Sequence, residues 1–368
     1  MKPMRICIFC ESWESGGIES FINNVLLHMD LREMEVDVVT SQMKESVFTT
    51  QLKDHGIRFY ELSGNQKHIA KNHLLFRKLL RERQYDVVHL NVFQGMSLYY
   101  AHLAKVAGVP VRIAHSHNTD LKQSRTRAIK LWLHRRYSSC YAREATAFWA
   151  CSTPAAEFMF PKKLLDKRQF IFIPNGIDTA RFRFNPIVRE NVRQEMGVAD
   201  RFVIGNVGRL CYQKNQSFLL DVLAEALKVR PNSCLLLIGD GEDCVALEEK
   251  ARVLNVADRV IFYGTTNQAE KLFWAMDVFA FPSRFEGLGI VAVEAQAAGL
   301  PVVSSENVPK EAAVTPLLCR MPLTAGAVAW AQLLCMRTPR RAYAEMVSKA
   351  GFDVADVAKS IEESYLKK

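Results

Sequence analysis

Residues 277–305, DVFAFPSRFEGLGIVAVEAQAAGLPVVSS, decide the fold. DVFAF is apolar at nearly every position, as expected of a parallel strand covered on both faces. The small and apolar run that follows the glycines reads as a helix over 290–298, and PVVSS returns to an extended pattern. Strand, glycine-bearing turn, helix and strand in this order make a β-α-β unit.

Working outward, the same alternation continues. Toward the amino end the β-branched runs are RICIFC (5–10), VDVVT (36–40), YDVVHL (85–90), VPVRIAH (109–115), ATAFWACS (145–152) and QFIFIP (169–174). Helical stretches over 21–30, 74–83 and 98–107 lie among them. A second series holds FVIGNVG (202–208), SCLLLIG (233–239) and RVIFYG (259–264), with helices over 217–229 and 245–254. Alternation on this scale predicts α/β architecture with doubly wound parallel sheets. The two series are separated by Pro174-Asn175-Gly176-Ile177-Asp178 and a polar segment to about residue 200. A hinge there divides the chain into domains 1–180 and 181–352. The last stretch, 353–368, has a helical stripe of Val354, Val357, Ile361 and Tyr365, so it packs rather than trails.

Composition narrows the class. The 368 residues are 49% hydrophobic and 24% charged, ordinary globular values that exclude a disordered or collagenous chain. The net charge of +9 is uneven: residues 1–183 carry +10 and residues 184–368 carry −1. A basic front half implies an anionic partner for that half. The nine cysteines mostly lie within apolar runs, which argues for a reducing compartment and against a disulfide framework. No uncharged apolar stretch reaches the ~18 residues that span a bilayer, and the apolar run over 6–10 is too short for a signal peptide. The expected location is cytoplasmic.

Ligands of open α/β sheets bind beyond the carboxyl ends of strands, and four such loops carry polar signals. After the first strand, Gly16 and Gly17 open a helix; they suit a close approach to an anion and equally a tight turn. After FVIGNV come Gly208 and Arg209, with Lys214 five residues beyond Arg209. This pair can converge on a diphosphate, or stand as two solvated cations. After DVFAF, Gly287-Leu288-Gly289 frees a helix start for a phosphate, and Glu294 lies ~9 Å farther along at the helical rise. Carboxylates such as Glu286 and Glu294 belong beside a phosphate only as acceptors from sugar hydroxyls. After VPVRI, His115 and His117 stand at i and i+2; without a third ligand at a convincing spacing, contact with a sugar hydroxyl or phosphate suits them better than zinc. Gly239-Asp240-Gly241-Glu242 reads as a simple turn.

The stretch 122–143 holds seven Lys/Arg and no acidic residue, with Ile129, Trp132, Leu133, Cys140 and Tyr141 roughly on one helical face. A basic amphipathic helix with interfacial aromatics fits an anionic membrane surface; a buried helix with a cationic outer face fits the same letters. Nucleic acid is a poor fit, because no binding module accompanies the charge. The absence of G-x-G-x-x-G disfavours a nicotinamide-dependent oxidoreductase.

In order along the chain, Gly16-Gly17-x-Glu19, His117-Asn118-Thr119-Asp120, Pro174–Asp178, Gly208-Arg209 with Gln213-Lys214-Asn215, and Glu286-x7-Glu294 resemble glycosyltransferase family 4, the retaining enzymes of the GT-B fold. Residues 150–156 and 304–309 resemble its capsular and exopolysaccharide branch. Asn118 stands where the family often has Gly, and Gly289 where it often has Pro. The resemblance implies two Rossmann-like domains facing a cleft, with an acceptor-binding amino-terminal domain, a donor-binding carboxyl-terminal domain and a final helix that packs back on the first. It assigns Arg209 and Lys214 to the donor diphosphate, Glu294 to the ribose, Glu286 with Gly287, Leu288 and Gly289 to the transferred sugar, Gly16 and Gly17 to the donor from the opposite domain, and His117 to the reacting sugar. It implies a hexose transferred from a nucleotide-sugar, a UDP-sugar by expectation, to a lipid-linked or glycan acceptor, with no metal or other cofactor. A peripheral position on the inner membrane face follows from the lipid-linked acceptor and the basic stretch. A sugar-nucleotide epimerase and a catalytically silent glycan-assembly protein remain as alternatives.

Overall fold

Apolar runs covered on both faces need a helix layer on each side, and the chain builds two such sheets. The computed structural model describes residues 2–366 except 15, 45, 122, 337 and 338. Ser15 of the first glycine turn, Lys122 of the basic stretch and residues 367–368 of the tail therefore lie outside the described residues. The strands are β1 (Met4–Trp13), β2 (Met34–Met43), β3 (Arg58–Glu61), β4 (Val87–Val92), β5 (Val111–Ser116), β6 (Ala147–Ala150), β7 (Ile171–Phe172), β8 (Phe202–Val207), β9 (Ser233–Ile238), β10 (Val260–Gly264), β11 (Val278–Phe281), β12 (Val302–Ser305) and β13 (Leu318–Met321).

The first compact unit runs to Gly176 and resumes at Phe352; the second is Ile177–Gly351. In the first, seven parallel strands take the order β3-β2-β1-β4-β5-β6-β7. In the second, six parallel strands take the order β10-β9-β8-β11-β12-β13. Each sheet reverses its winding beside its first strand, the switch-point topology that opens a crevice at the strands' carboxyl ends.

In the first unit, Ile6, Ile8, Val36, Val38 and Val87 project into a core shared with the helix Gly17–His28 and the final helix Val354–Leu366. The stripe of Val357, Ile361 and Tyr365 is buried there. Gly176 makes this docking possible, since a Cβ on it would come 2.7 Å from the Cα of Val354. In the second unit, Leu219, Leu220 and Leu223 of the helix Gln216–Val229 pack on Ile204, Leu235 and Leu237. Cys7, Cys10, Cys151, Cys211 and Cys234 are buried, and all nine cysteines are free thiols. Among the described residues, no helix is long and apolar enough to cross a membrane.

Candidate functional site

In the second unit, the loops after β8 and β11 are stitched together at the carboxyl edge of the sheet. Asn215 sits at φ 58, in the left-handed region that Asn tolerates. Its amide donates to the Pro282 carbonyl (3.2 Å), and its side-chain oxygen accepts from Arg284 (2.8 Å). Gln213 donates to the Phe285 carbonyl at 3.0 Å. Buried Gln216 donates to both Asn206 (3.2 Å) and the Arg209 carbonyl (3.1 Å), fixing the start of the loop. The result is an ion pair between residues distant in sequence: Lys214 Nζ lies 2.7 Å from Glu286 Oε1, with Glu286 buried. The ammonium also stands 5.2 Å from the centre of the Phe281 ring, a further stabilising contact for a partly desolvated cation.

Arg209 is more exposed and pairs with Glu242 at 3.0 Å. The Gly239–Glu242 turn comes against this loop so closely that a Cβ on Gly239 would lie 2.2 Å from the Gly208 carbonyl oxygen. Gly239 has φ +131, which disfavours a side chain for a second reason. Gly289 has φ +85 and precedes the helix Ile290–Ala297, with Phe281 and Val308 closing the space a side chain would need. Glu294, on that helix, is partly buried. Burial pushes its carboxyl up to about 7, with Arg181 pulling the other way and Glu270 adding to the rise. Arg181 itself is held by Glu270 at 2.7 Å, just after Asp178 caps its own turn by accepting from the Arg181 N–H.

In the first unit, period-two geometry places His89 and Asn91 of β4 on one face of the sheet. His115 on β5 is the register partner of Asn91, and Trp149 on β6 is the partner of His115. His117, just past β5, bonds through Nε2 to Asn91 Oδ1 at 2.9 Å. Tyr365 Oη lies 2.6 Å from His89 Nδ1, and His89 Nε2 lies 3.2 Å from His115 Nδ1. A buried phenol must donate its proton, so Tyr365 donates to His89, which in turn donates to His115. Burial holds His89 and His117 down to about 3, and His115 well below the ordinary imidazole value. These rings are therefore neutral at physiological pH.

At the end of β1, Glu11 is buried, and its Oε2 accepts from the Gln94 amide at 2.9 Å. Desolvation pushes this carboxyl up to about 8.

Two family models match the chain: Glycosyltransferase Family 4 over residues 15–181, and Glycosyl transferases group 1 over residues 201–334. The putative glycosyltransferase EpsF of Bacillus subtilis (strain 168) is 32% identical over 363 residues, covering 95% of this chain and 93% of that one. The chain is a family 4 glycosyltransferase. A second relative is the UDP-Gal:alpha-D-GlcNAc-diphosphoundecaprenol alpha-1,3-galactosyltransferase of Escherichia coli, 27% identical, covering 71% of this chain and 70% of that one. Among solved structures, Anabaena Alr3699/HepE in complex with UDP-glucose is similar at a TM-score of 0.78 and 23% identity, covering 99% of this chain and 100% of that one. That likeness shows the GT-B fold.

In this glycosyltransferase the structure brings Gly208, Lys214, Glu286, Gly287, Leu288, Gly289 and Glu294 to one sheet edge, with Arg209 beside them. Arg209 and Lys214 each hold a different carboxylate, Glu242 and Glu286, rather than facing an open anion position. Gly16 and Gly17 belong to the other unit, one as the helix cap and one as the first helical residue. Their turn is filled by Glu19: a Cβ on Gly16 would meet Glu19 Oε2 at 2.6 Å, and the Glu14 N–H donates to Glu19 Oε1 at 3.3 Å.

The sequence reading of the glycosyltransferase missed His89, Asn91 and Glu11. The signal was present as two polar letters at i and i+2 inside the apolar run VVHLNV. The basic stretch forms the helix Arg127–Tyr141. His134 anchors it, accepting from the Gly95 N–H and donating to the Phe158 carbonyl, each at 2.8 Å. Ile129 and Trp132 remain 62% and 64% exposed.

Proposed function

We propose that this glycosyltransferase is a retaining enzyme that moves a hexose from a UDP-sugar to a lipid-linked or glycan acceptor in capsular or extracellular polysaccharide assembly. The observation that carries the reading is the Lys214–Glu286 pair at the carboxyl edge of the second sheet. An arriving diphosphate exchanges partners with it: the ammonium turns to phosphate oxygens, and the released carboxylate accepts from hydroxyls of the sugar. Arg209, on the same loop, adds a planar fork as negative charge grows on the leaving group. Gly287, Leu288 and Gly289 offer the start of the helix that carries Glu294, and Glu294 accepts from ribose hydroxyls. Gly16 and Gly17 approach the donor from the first unit, and His117 meets the reacting sugar as a neutral imidazole. Retention follows if the acceptor oxygen bonds to the sugar on the face from which the phosphate leaves, its proton passing to the departing phosphate oxygen.

Transfer proceeds without a metal in this reading, since two cations at the donor loops supply the charge and the chain has no Asp-x-Asp motif there. The choice of donor and acceptor is supported by the names of the Escherichia coli relative, with UDP-Gal and a diphosphoundecaprenol-linked sugar, and of the UDP-glucose complex. The helix Arg127–Tyr141, with exposed Ile129 and Trp132 among its cations, supports docking on an anionic bilayer at the cytoplasmic face.

The test is incubation with UDP-hexoses and a polyprenyl-diphosphate-linked sugar, following UDP release and the anomeric configuration of the product. Formation of an α-linked product with one UDP per transfer is expected. Turnover of GDP-hexoses but not UDP-hexoses would overturn the donor, and conversion of UDP-sugar without acceptor would favour an epimerase. Flotation with anionic vesicles at low salt tests the membrane arm, and failure to bind removes it.

A further inference from the structure

The second unit carries a strongly cationic cavity that the transfer reaction does not use. It measures about 520 Å³ and is lined by Arg189, Arg193, Arg201, Arg230 and Arg340 against Asp200 and Asp277. Its place is the amino edge of the sheet: Phe202, which also lines it, begins β8, and Asp277 immediately precedes β11. Lys214 and Glu286 belong to loops at the opposite edge, roughly 20 Å away at the rise of a six-residue strand.

Three of the five arginines have structural employment. Arg189 and Arg193 take the two oxygens of Asp277 at 2.7 and 3.1 Å. Arg193 also donates to the Ala275 carbonyl at 2.6 Å, and Arg340 donates to those of Phe273 (2.8 Å) and Trp274 (3.1 Å). They thereby close the carboxyl end of the helix Ala269–Ala275, where the backbone presents unpaired oxygens. Asp277 has nothing left to give, since one of its oxygens also accepts from the Val203 N–H at 2.8 Å.

Arg201 and Arg230 differ from these three. Among the described residues, neither has a carboxylate within ion-pair distance, a lack they share with Arg340, whose guanidinium is held by backbone carbonyls instead. Arg230 lies with its guanidinium carbon 4.0 Å from the centre of the Phe202 ring, and its Nη1 is buried without a hydrogen-bond partner. A guanidinium cannot shed its proton to escape such a position. The crowding is felt by Arg340, whose pKa is pushed down to about 9 by burial first, with Arg189 and Arg193 adding to the fall. What would relieve the cluster is an anion with several acceptor oxygens, matched to guanidinium forks. The volume falls within the range of small-ligand sites.

We propose that this cavity is a second binding site of the enzyme, for a small phosphate-bearing anion held by Arg201 and Arg230. The probe is inorganic pyrophosphate, titrated calorimetrically into the full chain carrying Lys214→Ala, which removes the less exposed donor-loop cation and leaves Arg209, so that dependence on Arg201 and Arg230 decides where the anion sits. This protein should still bind pyrophosphate, and adding Arg201→Ala or Arg230→Ala should weaken binding at least tenfold. Arg230→Lys, which keeps the charge but not the fork, should lose less than Arg230→Ala. Thermal melting without pyrophosphate identifies any variant that fails to fold, and Arg201→Ala, at a partly exposed residue, keeps the test open in that event. No binding to the Lys214→Ala chain, or binding indifferent to both arginine replacements, would overturn the site. Neither outcome bears on the donor reading, which is tested by turnover of UDP-hexoses.

Discussion

At their candidate sites the two units hold buried polar groups by opposite means, although away from the site the first unit also buries Asp37 against Arg58 and Arg83. In the first, His89, Asn91, His115 and His117 line one face of the sheet, and desolvation keeps the three rings uncharged. In the second, buried Glu286 pairs with Lys214, and buried Glu270 pairs with the exposed Arg181. Neutral groups satisfied by hydrogen bonds need no counter-ion. A buried ion pair has already traded hydration for a partner, so its cation incurs no further desolvation when an anion takes the place of the carboxylate. His117, the one of the first unit's four groups that is not fully buried, suits a hydroxyl-rich ligand as a neutral ring, with His89, Asn91 and His115 behind it; exchangeable charges suit an anionic one. On the proposed function, the sugar acceptor goes to the first unit and the charged donor to the second.

The hardest way to break this contrast is Lys214→Ala. It leaves Glu286 buried without its ammonium and removes a cation from the developing diphosphate charge. Turnover of the UDP-sugar should fall roughly 10²–10³-fold, measured as kcat on a chain shown by circular dichroism to be folded. Wild-type turnover would take Lys214 out of the site.

Glu294→Gln sharpens the charged side. With its carboxyl near 7, Glu294 gains charge as pH rises from 6 to 8. Affinity for a UDP-sugar, whose diphosphate does not titrate there, should rise over that window in the wild type and stay flat in the variant. At pH 8 the variant should bind about 10-fold more weakly, the scale of one hydrogen bond to a charged group. A flat wild-type profile would detach Glu294 from the ribose.

Much of this was legible from letters. The unit around 277–305 reads correctly because buried parallel strands and a short apolar helix leave distinct patterns: β11, the helix Ile290–Ala297 and β12 fall within a residue or two of expectation. The edge strands β3 and β13 were not legible, since RFYE and LCRM are half exposed and lack the apolar signature of a covered strand. The first helix starts at Gly17, not 21, because Glu19 holds the turn from inside and the glycines enter the helix end. The Lys214–Glu286 pair joins two motifs that were each visible alone. Their meeting depends on Asn215, Gln213 and Arg284 tying two loops together, which no spacing rule encodes.

Glu11→Gln probes the neutral unit through pH. Between the ordinary carboxylate value and about 8, folded Glu11 holds a proton that the unfolded chain has lost. Its contribution to stability is therefore full at acid pH and lost as pH rises through about 8, at up to about 1.4 kcal/mol per pH unit. His89 and His117 act in the reverse sense. With folded values near 3, they contribute fully above the ordinary imidazole value and lose that contribution as pH falls toward 3. Urea unfolding across pH 5–8 should show a shallower alkaline decline in Glu11→Gln than in the wild type. An unchanged slope would mean Glu11 is ionised when folded.

The smallest effect is expected from Tyr365→Phe. Phenylalanine keeps the stacking of the ring on Trp149, 6.2 Å between centres, and the burial of the final helix. Only the hydroxyl that donates to His89 Nδ1 is lost. His89 can then turn over its proton between Nδ1 and Nε2, and the order imposed on His115 disappears with it. The expected cost is about 1–2 kcal/mol of stability, that of an acceptor left buried without its donor, read from the urea midpoint at pH 7. His89→Phe in the same background discriminates further. If the hydrogen bond is the source of the loss, removing both partners should cost less than the sum of the two single changes. Strict additivity would mean that the final helix is held by its apolar stripe alone.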